Sequence, residues 1–464
     1  MLSKQDNELL TRVGPGTPMG SLLRQYWVPA LLTSELPEND CPPIRVRLLG
    51  EDLIAFRDTS GKVGLVTANC PHRGASLFFG RNEEDGLRCV YHGWKFDVTG
   101  QCVDMPNEPA ESNFKSKIKA TAYPCQEAGG LVWTYMGPRQ EPPPLHELEF
   151  TVVPAAQRLI QKRMQFCNWV QALEGDIDQS HVGFLHSRVP EHRQAATSDP
   201  TTYRSMEAYY KRIDRRPRYA LVDTEYGVLG CATRSDGGSA AYYRVTHFLL
   251  PFFTIAPPGP EADPSRAIRI WVPMDDETVM VFGISYHPSK PFPPEASLRL
   301  KNGAGASFVG TDHLQPPTSA PGGAWVPQAG RQNDYFVDRD LQRTSLYTGI
   351  QEFWAQDAAV QESMGVIYDR SSEHLGTSDA FIIRMRHRLV HAAKALEEQG
   401  NVPDGVDNPE IYRVRAVQVV SPDAAPWLAA TRELCQVTPG RNPGGAELGL
   451  VADDSVGARP IGGK

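Results

Sequence analysis

Cys70-Pro-His72 and, after sixteen intervening residues, Cys89-Val-Tyr-His92 set two soft thiolates and two imidazoles in two short segments, one sulfur and one nitrogen in each. A pair of irons bridged by sulfides accepts that set, with Cys70 and Cys89 on one iron and His72 and His92 on the other. Neutral imidazole in place of thiolate removes negative charge, which raises the potential of a [2Fe–2S] cluster from about −400 mV to roughly −150 to +300 mV. Such a centre takes electrons from a reductase and passes them on. A structural zinc ion accepts the same ligand types, but zinc fingers usually gather both cysteines in one loop and both histidines in the other. The interleaving, followed by Gly93-Trp94, favours iron–sulfur and leaves zinc as the alternative.

A second constellation is Asp178-Gln-Ser-His181-Val-Gly-Phe-Leu-His186. Histidines five apart on an ideal helix diverge by about 140°, since each residue turns about 100°. They meet on one ion only if the helix bends or ends between them, which Gly183 permits; otherwise they are two unrelated buried histidines. Glu174, Asp176 and Asp178 precede them in an otherwise apolar segment, so an acid there must be held near positive charge. A third ligand is expected from Asp357, in a helix over 346–364 where Ile350, Phe353, Val360 and Met364 share its face. A carboxylate inside an apolar stripe costs several kcal/mol unless it is paired or metal-bound. Glu352 and Glu362 fall on the polar side, and a pairing of Asp357 with Arg343 or Arg370 is the competing explanation. Two histidines and one aspartate would leave open positions on Fe(II) for dioxygen.

The elements that must position these groups follow from residue pattern. Ile44, Val46 and Leu48 alternate with arginines, and 53–56 and 63–66 flank a turn at Asp58-Thr-Ser-Gly61. Further short strands are expected at 87–91, 94–97 and 131–135, giving a small all-β domain over 41–141 with both Cys/His loops at one end. Residues 1–40 read as an N-terminal helix and arm, and Pro142-Pro-Pro144 as a stiff boundary. The region 145–435 reads as mixed: a helix at 167–184, strands at 219–257 and 267–286, and the helix at 346–364. The Gly/Pro/Ser-rich stretch 302–333 suggests a lid, an interface arm or disorder, and 436–464 a loose tail.

Composition fits a cytoplasmic enzyme: 464 residues, 41% hydrophobic and 22% charged, are enough for two or three domains with ample core. No apolar signal core opens the chain and no run of about eighteen apolar residues could span a membrane. The cysteines at 41, 102, 125, 167, 231 and 435 are scattered, so reduced thiols are expected, and a net charge of −8 leaves no nucleic-acid footprint.

Cys70-Pro-His-Arg-Gly, Cys89-Val-Tyr-His-Gly-Trp-Lys-Phe, the run from Asn168 through Glu174 to His181, and Gln356-Asp-Ala-Ala-Val-Gln-Glu-Ser-Met-Gly resemble the oxygenase component of Rieske non-haem iron aromatic-ring hydroxylases, most of all the phthalate dioxygenase group. The resemblance spans about residues 7–390. It implies an α+β architecture, with a small all-β Rieske domain and a catalytic domain whose antiparallel sheet is flanked by helices. It also implies a Rieske [2Fe–2S] cluster, a mononuclear Fe(II), and a head-to-tail homotrimer or stacked hexamer in which one subunit's cluster feeds its neighbour's iron. Asp178 matches the family's inter-subunit electron bridge; three residues before it, where relatives often carry Asn, stands Gly175. The partners implied are dioxygen, an aromatic acid and a separate NADH-dependent reductase of flavin and ferredoxin type, since no Gly-rich dinucleotide fingerprint follows a strand here. The expected reaction is hydroxylation of a phthalate- or benzoate-type acid, with O-demethylation or ether cleavage of a lignin-derived acid as the alternative, and a Rieske electron carrier as the alternative of another class. An anionic ring needs a fixed cation, ideally a bidentate arginine. Arg218 and Arg244 are the candidates, and His247 on the strand of Arg244 is either a pocket or a core residue.

Overall fold

A computed structural model describes residues 2–109, 111–190, 199–202, 205–257, 265–303 and 308–437, so most of the expected C-terminal tail lies outside it. Helix α1 (Lys4–Thr11) is capped by the Ser3 side chain, and α2 (Pro18–Leu23) by Thr17 with proline in its first turn, where the missing N–H costs nothing. β1 (Trp27–Leu32) follows, buried along its whole length.

β2 (Ile44–Leu48), β3 (Glu51–Arg57) and β4 (Val63–Thr67) form an antiparallel meander. β5 (Arg81–Glu83), β6 (Gly86–Arg88), β7 (Lys95–Phe96) and β8 (Cys102–Asp104) make a second sheet of very short strands. β9 (Ala122–Tyr123) closes the edge of β4, and β10 (Cys125–Ala128) pairs with β11 (Leu131–Tyr135). The far edge of β11 is taken by β1, Trp27 opposite Tyr135 and Leu32 opposite Leu131. The stretch expected as an arm before residue 40 thus contributes a strand to the β-domain, because six consecutive buried residues need cover on both faces.

The second region is built on one antiparallel sheet. β12 (Arg158–Gln165) leads into helix α3 (Trp169–Ile177). Then come helix α4 (Met206–Ile213) and the strands β13 (Arg218–Thr224), β14 (Gly227–Ser235), β15 (Ala241–Leu249), β16 (Phe253–Ala256), β17 (Arg266–Pro273) and β18 (Val279–Tyr286). The order across the sheet is β12-β18-β17-β16-β15-β14-β13. Helices α5 (Phe353–Ser363) and α6 (Ala380–Gln399) precede β19 (Val417–Ser421), which pairs with residues 241–245 of β15 where β16 occupies 247–249. α6 buries Phe381, Met385, Leu389 and Ala393 at four-residue intervals and stops at Gly400, whose φ of 70° supplies the left-handed cap. α3 packs between β16–β17 and α5, while α6 lies on β14 and α2. The expected α+β architecture is what the chain adopts.

Residues 308–333 are irregular yet packed: Trp325 donates from Nε1 to Glu35 Oε1 (2.9 Å), and Glu35 also pairs with Lys162 (2.6 Å) on β12. That part of the stretch therefore packs against Glu35 and β12 of the same chain; 304–307 lie outside the described residues. None of the eight cysteines forms a disulfide.

Candidate metal centres

The two Cys/His loops repeat one backbone device. Cys70 N–H donates to Ala75 O (2.8 Å) and Gly74 N–H to Cys70 O (2.9 Å); Cys89 N–H donates to Trp94 O (2.8 Å) and Gly93 N–H to Cys89 O (2.9 Å). Gly74 and Gly93 sit at φ 75° and 81°, so the tight return of each loop requires glycine. Cys70 and Cys89 are 2% exposed and His72 and His92 half-buried, so the sulfurs lie deeper than the imidazoles. The His72 ring stacks on Trp94 at 4.3 Å and meets His92 edge-on at 4.5 Å. His92 Nδ1 is buried without a partner, as a ligating nitrogen would be before its metal is counted. Burial, with Cys89 beside it, pushes the Cys70 thiol up to about 11, so this sulfur needs a cation to ionise. Among the described residues only His181, His186 and Asp357 bring three donors within 4.8 Å of one another. The four Cys/His donors are therefore spread wider than one tetrahedral zinc requires, and they suit a two-iron cluster.

The second set forms because α3 ends early. Its N-cap Asn168 holds the helix start against Thr11 O (3.0 Å) and Asp276 O (2.8 Å). The helix expected over 167–184 stops at Ile177, and Asp178 then accepts from Ser180 N (2.7 Å), Ser180 Oγ (2.9 Å) and His181 N (3.3 Å), turning the chain. His181 lies in a 3-10 turn (His181–Gly183) and His186 beyond it, so neither is bound by helical spacing. Their Nε2 atoms come within 3.2 Å of each other, and Asp357 Oδ1 lies 3.5 Å from one and 3.4 Å from the other. Asp178 Oδ2 is 3.3 Å from His181 Nδ1. Burial would raise the Asp357 carboxyl, but His186 and His181 outweigh it and hold it below its ordinary value.

Asp357 occupies its expected place for a different reason from the expected one. α5 begins at Phe353, so Ile350 precedes it, and Phe353, Val360 and Met364 are 37%, 40% and 47% exposed. The buried side carries Trp354, Ala355, Ala358, Gln361 and Glu362. Glu362, expected on the polar face, accepts from Tyr335 Oη (2.6 Å) and Phe166 N (3.1 Å). Asp357 stands at the border of the two faces, where it reaches the loop histidines. Arg370 is committed to Glu174 and Arg343 to Asp340.

Residues 26–123 match the family described as "Rieske [2Fe-2S] domain", and residues 134–440 the family described as "LigXa C-terminal domain like". The chain belongs to the Rieske non-haem iron oxygenases. As an oxygenase component of that family it carries a [2Fe–2S] cluster and a mononuclear iron. It is 40% identical over 437 residues to the 3-chlorobenzoate-3,4-dioxygenase oxygenase subunit of Comamonas testosteroni, covering 93% of this chain and 98% of that relative. It is 36% identical over 405 residues to the phthalate 4,5-dioxygenase oxygenase subunit of Pseudomonas putida (86% and 87% covered). It is 30% identical over 432 residues to the 5,5'-dehydrodivanillate O-demethylase oxygenase subunit of a Sphingobium species (91% and 86%). Among solved structures, the oxygenase–ferredoxin complex of carbazole 1,9a-dioxygenase shares the fold with a TM-score of 0.52 at 20% identity, over 86% of this chain and 97% of that one.

Around the His181, His186 and Asp357 cluster of this Rieske oxygenase the acids of α3 and its loop are all placed. Glu174 is buried between Arg370 (3.1 Å) and Arg386 (2.7 Å), Asp176 pairs with Arg269 and Thr254, and Asp178 serves the ligand loop. At Gly175 a Cβ would meet the Gln361 amide at 2.2 Å, so that amide fills the space an Asn side chain would need. Arg244 is not the free cation expected of it. It donates to Gln179 Oε1 (2.7 Å), Glu207 Oε1 (2.7 Å) and Gln418 Oε1 (2.9 Å), so its anion comes from the same chain. Arg218 is exposed at the start of the edge strand β13. His247 is a core residue, fully buried between Tyr226 Oη (3.0 Å) and Arg415 O (2.7 Å), and burial pulls it down to about 4.

Three residues escaped sequence reasoning. Gln179 is held by Arg244 and by Thr246 (3.2 Å) and pins the ligand loop to β15. Gln356 lies 2.7 Å from His186 Nδ1, and the Phe353 ring stacks on His186 at 3.9 Å. Two glutamines beside candidate ligands carry no signal of their own in one sequence; Phe353, four positions before Asp357, carries one that the sequence reading assigns to the core.

Proposed function

We propose that this oxygenase component oxidises an aromatic carboxylate of the benzoate or phthalate type. In this reading Cys70, His72, Cys89 and His92 hold the cluster, and His181, His186 and Asp357 hold Fe(II). The observation that carries the aromatic part is Phe353, stacked on His186 within 16° of parallel yet 37% exposed, an apolar ring beside the metal with its other side open. The acid part rests on the 40% and 36% identical relatives, named for 3-chlorobenzoate and phthalate. Lys211 and Arg244 both pair with Glu207, so neither is an uncommitted cation for that carboxylate. When bound, the ferrous ion supplies activation of dioxygen with electrons drawn through the cluster. The chain's own part is to present three ligands on one side, to hold the ring beside His186, and to keep Asp178 against His181 as the entry point for electrons. Those electrons come from NADH through a separate reductase of flavin and ferredoxin type. The subunits form a cytoplasmic homotrimer, alone or stacked as a hexamer, with the bridge at Asp178 joining neighbours.

The test is product analysis with reductase, NADH and dioxygen on phthalates, benzoates and methoxylated aryl acids. Ring hydroxylation of an acid is expected, and equal turnover of neutral arenes would refute the acid preference. Release of formaldehyde from a methoxylated acid would instead establish O-demethylation, the reading that the 30% identical O-demethylase subunit favours.

A further inference from the structure

The two iron-site histidines are supported from behind by different groups. His181 Nδ1 faces the Asp178 carboxylate at 3.3 Å, while His186 Nδ1 faces the Gln356 side chain at 2.7 Å. Gln356 is 6% exposed, and its amide cannot turn freely, because Nε2 donates to the carbonyl of Ile350 at 2.8 Å in the chain just before α5. With Nε2 so engaged, it is Oε1, an acceptor, that meets His186. An acceptor there requires a proton on Nδ1, and a neutral imidazole protonated at Nδ1 has its lone pair on Nε2, the atom 3.4 Å from Asp357 Oδ1. Phe353, stacked on the same ring, fixes its plane.

We infer that Gln356 is the positioning residue that sets the tautomer and orientation of His186 for the metal, as a neutral counterpart to the carboxylate behind His181. The assignment rests on the reading of His181, His186 and Asp357 as the iron ligands. The asymmetry has a chemical content. A carboxylate draws on the Nδ1 proton and makes its imidazole a stronger donor, whereas an amide orients the ring without adding charge. Gln356 thus keeps one of the two nitrogen ligands neutral and the ligand set at a single negative charge from Asp357.

The test uses the full chain with its cluster in place, depleted of mononuclear iron and titrated with Fe(II), and reads the EPR signal of the nitric oxide adduct. Gln356→Leu should weaken Fe(II) binding by ~10–100-fold and alter the nitrosyl signal, while the cluster's own EPR spectrum stays as in the parent. Gln356→Glu, which keeps an acceptor at the same place but brings charge, should retain iron and still shift the nitrosyl signal; it carries the test if Gln356→Leu does not fold. Parent affinity and parent nitrosyl signal in either folded variant would overturn the assignment, and so would a lowered melting temperature with iron binding unchanged. His186→Ala, titrated alongside, tests the ligand reading by itself: if it binds Fe(II) like the parent, the ligand set fails whatever the Gln356 variants do.

Discussion

The two metal centres of this chain are made in opposite ways. The candidate cluster site is local: two loops separated by sixteen residues, each closed by the same pair of backbone hydrogen bonds and the same left-handed glycine, with all four Cys/His donors in one small β-domain. The candidate iron site is assembled at long range, from a loop after α3 and a helix that begins only at Phe353, and His181, His186 and Asp357 meet because α3 stops at Ile177. A local site needs its own turns and little else. A long-range site needs the whole second region to be folded, and its geometry depends on side chains that never touch the metal.

The largest expected effects separate the two centres outright. Asp357→Ala, His181→Ala or His186→Ala should abolish turnover and lose the mononuclear iron while the visible and EPR spectra of the cluster persist; Cys70→Ser should bleach the cluster and leave the other iron bound. Metal analysis of the purified variants checks both, and loss of both metals from one substitution would break the independence claimed here. Asp178→Asn should keep both metals and both spectra yet nearly abolish turnover in the presence of reductase, because its carboxylate adjoins His181; full activity would remove the bridge role.

Glu174→Gln tests how far the iron site depends on buried charge. Removing one partner of a buried pair costs about 3–5 kcal/mol, and here Arg370 and Arg386 would both lose their shared anion. Burial alone would raise the Glu174 carboxyl, but the two arginines prevail and hold it below its ordinary value. The stability it contributes is therefore full above the unfolded-chain value of about 4.3 and is lost as pH falls through the lower folded value. Glu174→Gln should flatten that acid limb in denaturation curves, and an unchanged limb would show that other acids dominate it. The smallest effect is expected at the substrate wall. Arg244→Met should leave the preference for acids over neutral arenes intact, since Glu207 already neutralises Arg244; KM values across a substrate panel check it.

That contrast also explains what could be read from residue order. The two Cys/His loops and the strands around them were legible because spacing, turn glycines and alternation all act within a few residues. The histidine pair was legible as a pair, but the helix around it was drawn too long, since Asp178 capping its own downstream backbone competes with helix in a way that composition does not reveal. Asp357 was found by an argument about an apolar face that the fold reverses, with Glu362 inside and Val360 outside. Arg244 was read as a cation in want of a ligand because Glu207, thirty-seven positions earlier, could not be seen to lie against it.

The early end of α3 has one more consequence, for the electric field at the iron. A helix gathers roughly half a unit of negative charge at its C-terminus, on carbonyls that have no partner in the next turn. The loop that bears His181 and His186 starts at that end of α3. A dication held there lies against the negative pole of the helix, an attraction of typically about 0.3–1 kcal/mol that grows when partly shielded from water. The backbone itself would therefore help to retain a ferrous ion held by His181, His186 and Asp357, whose side chains supply only one formal charge, and lengthening α3 by a turn would displace that field together with the loop.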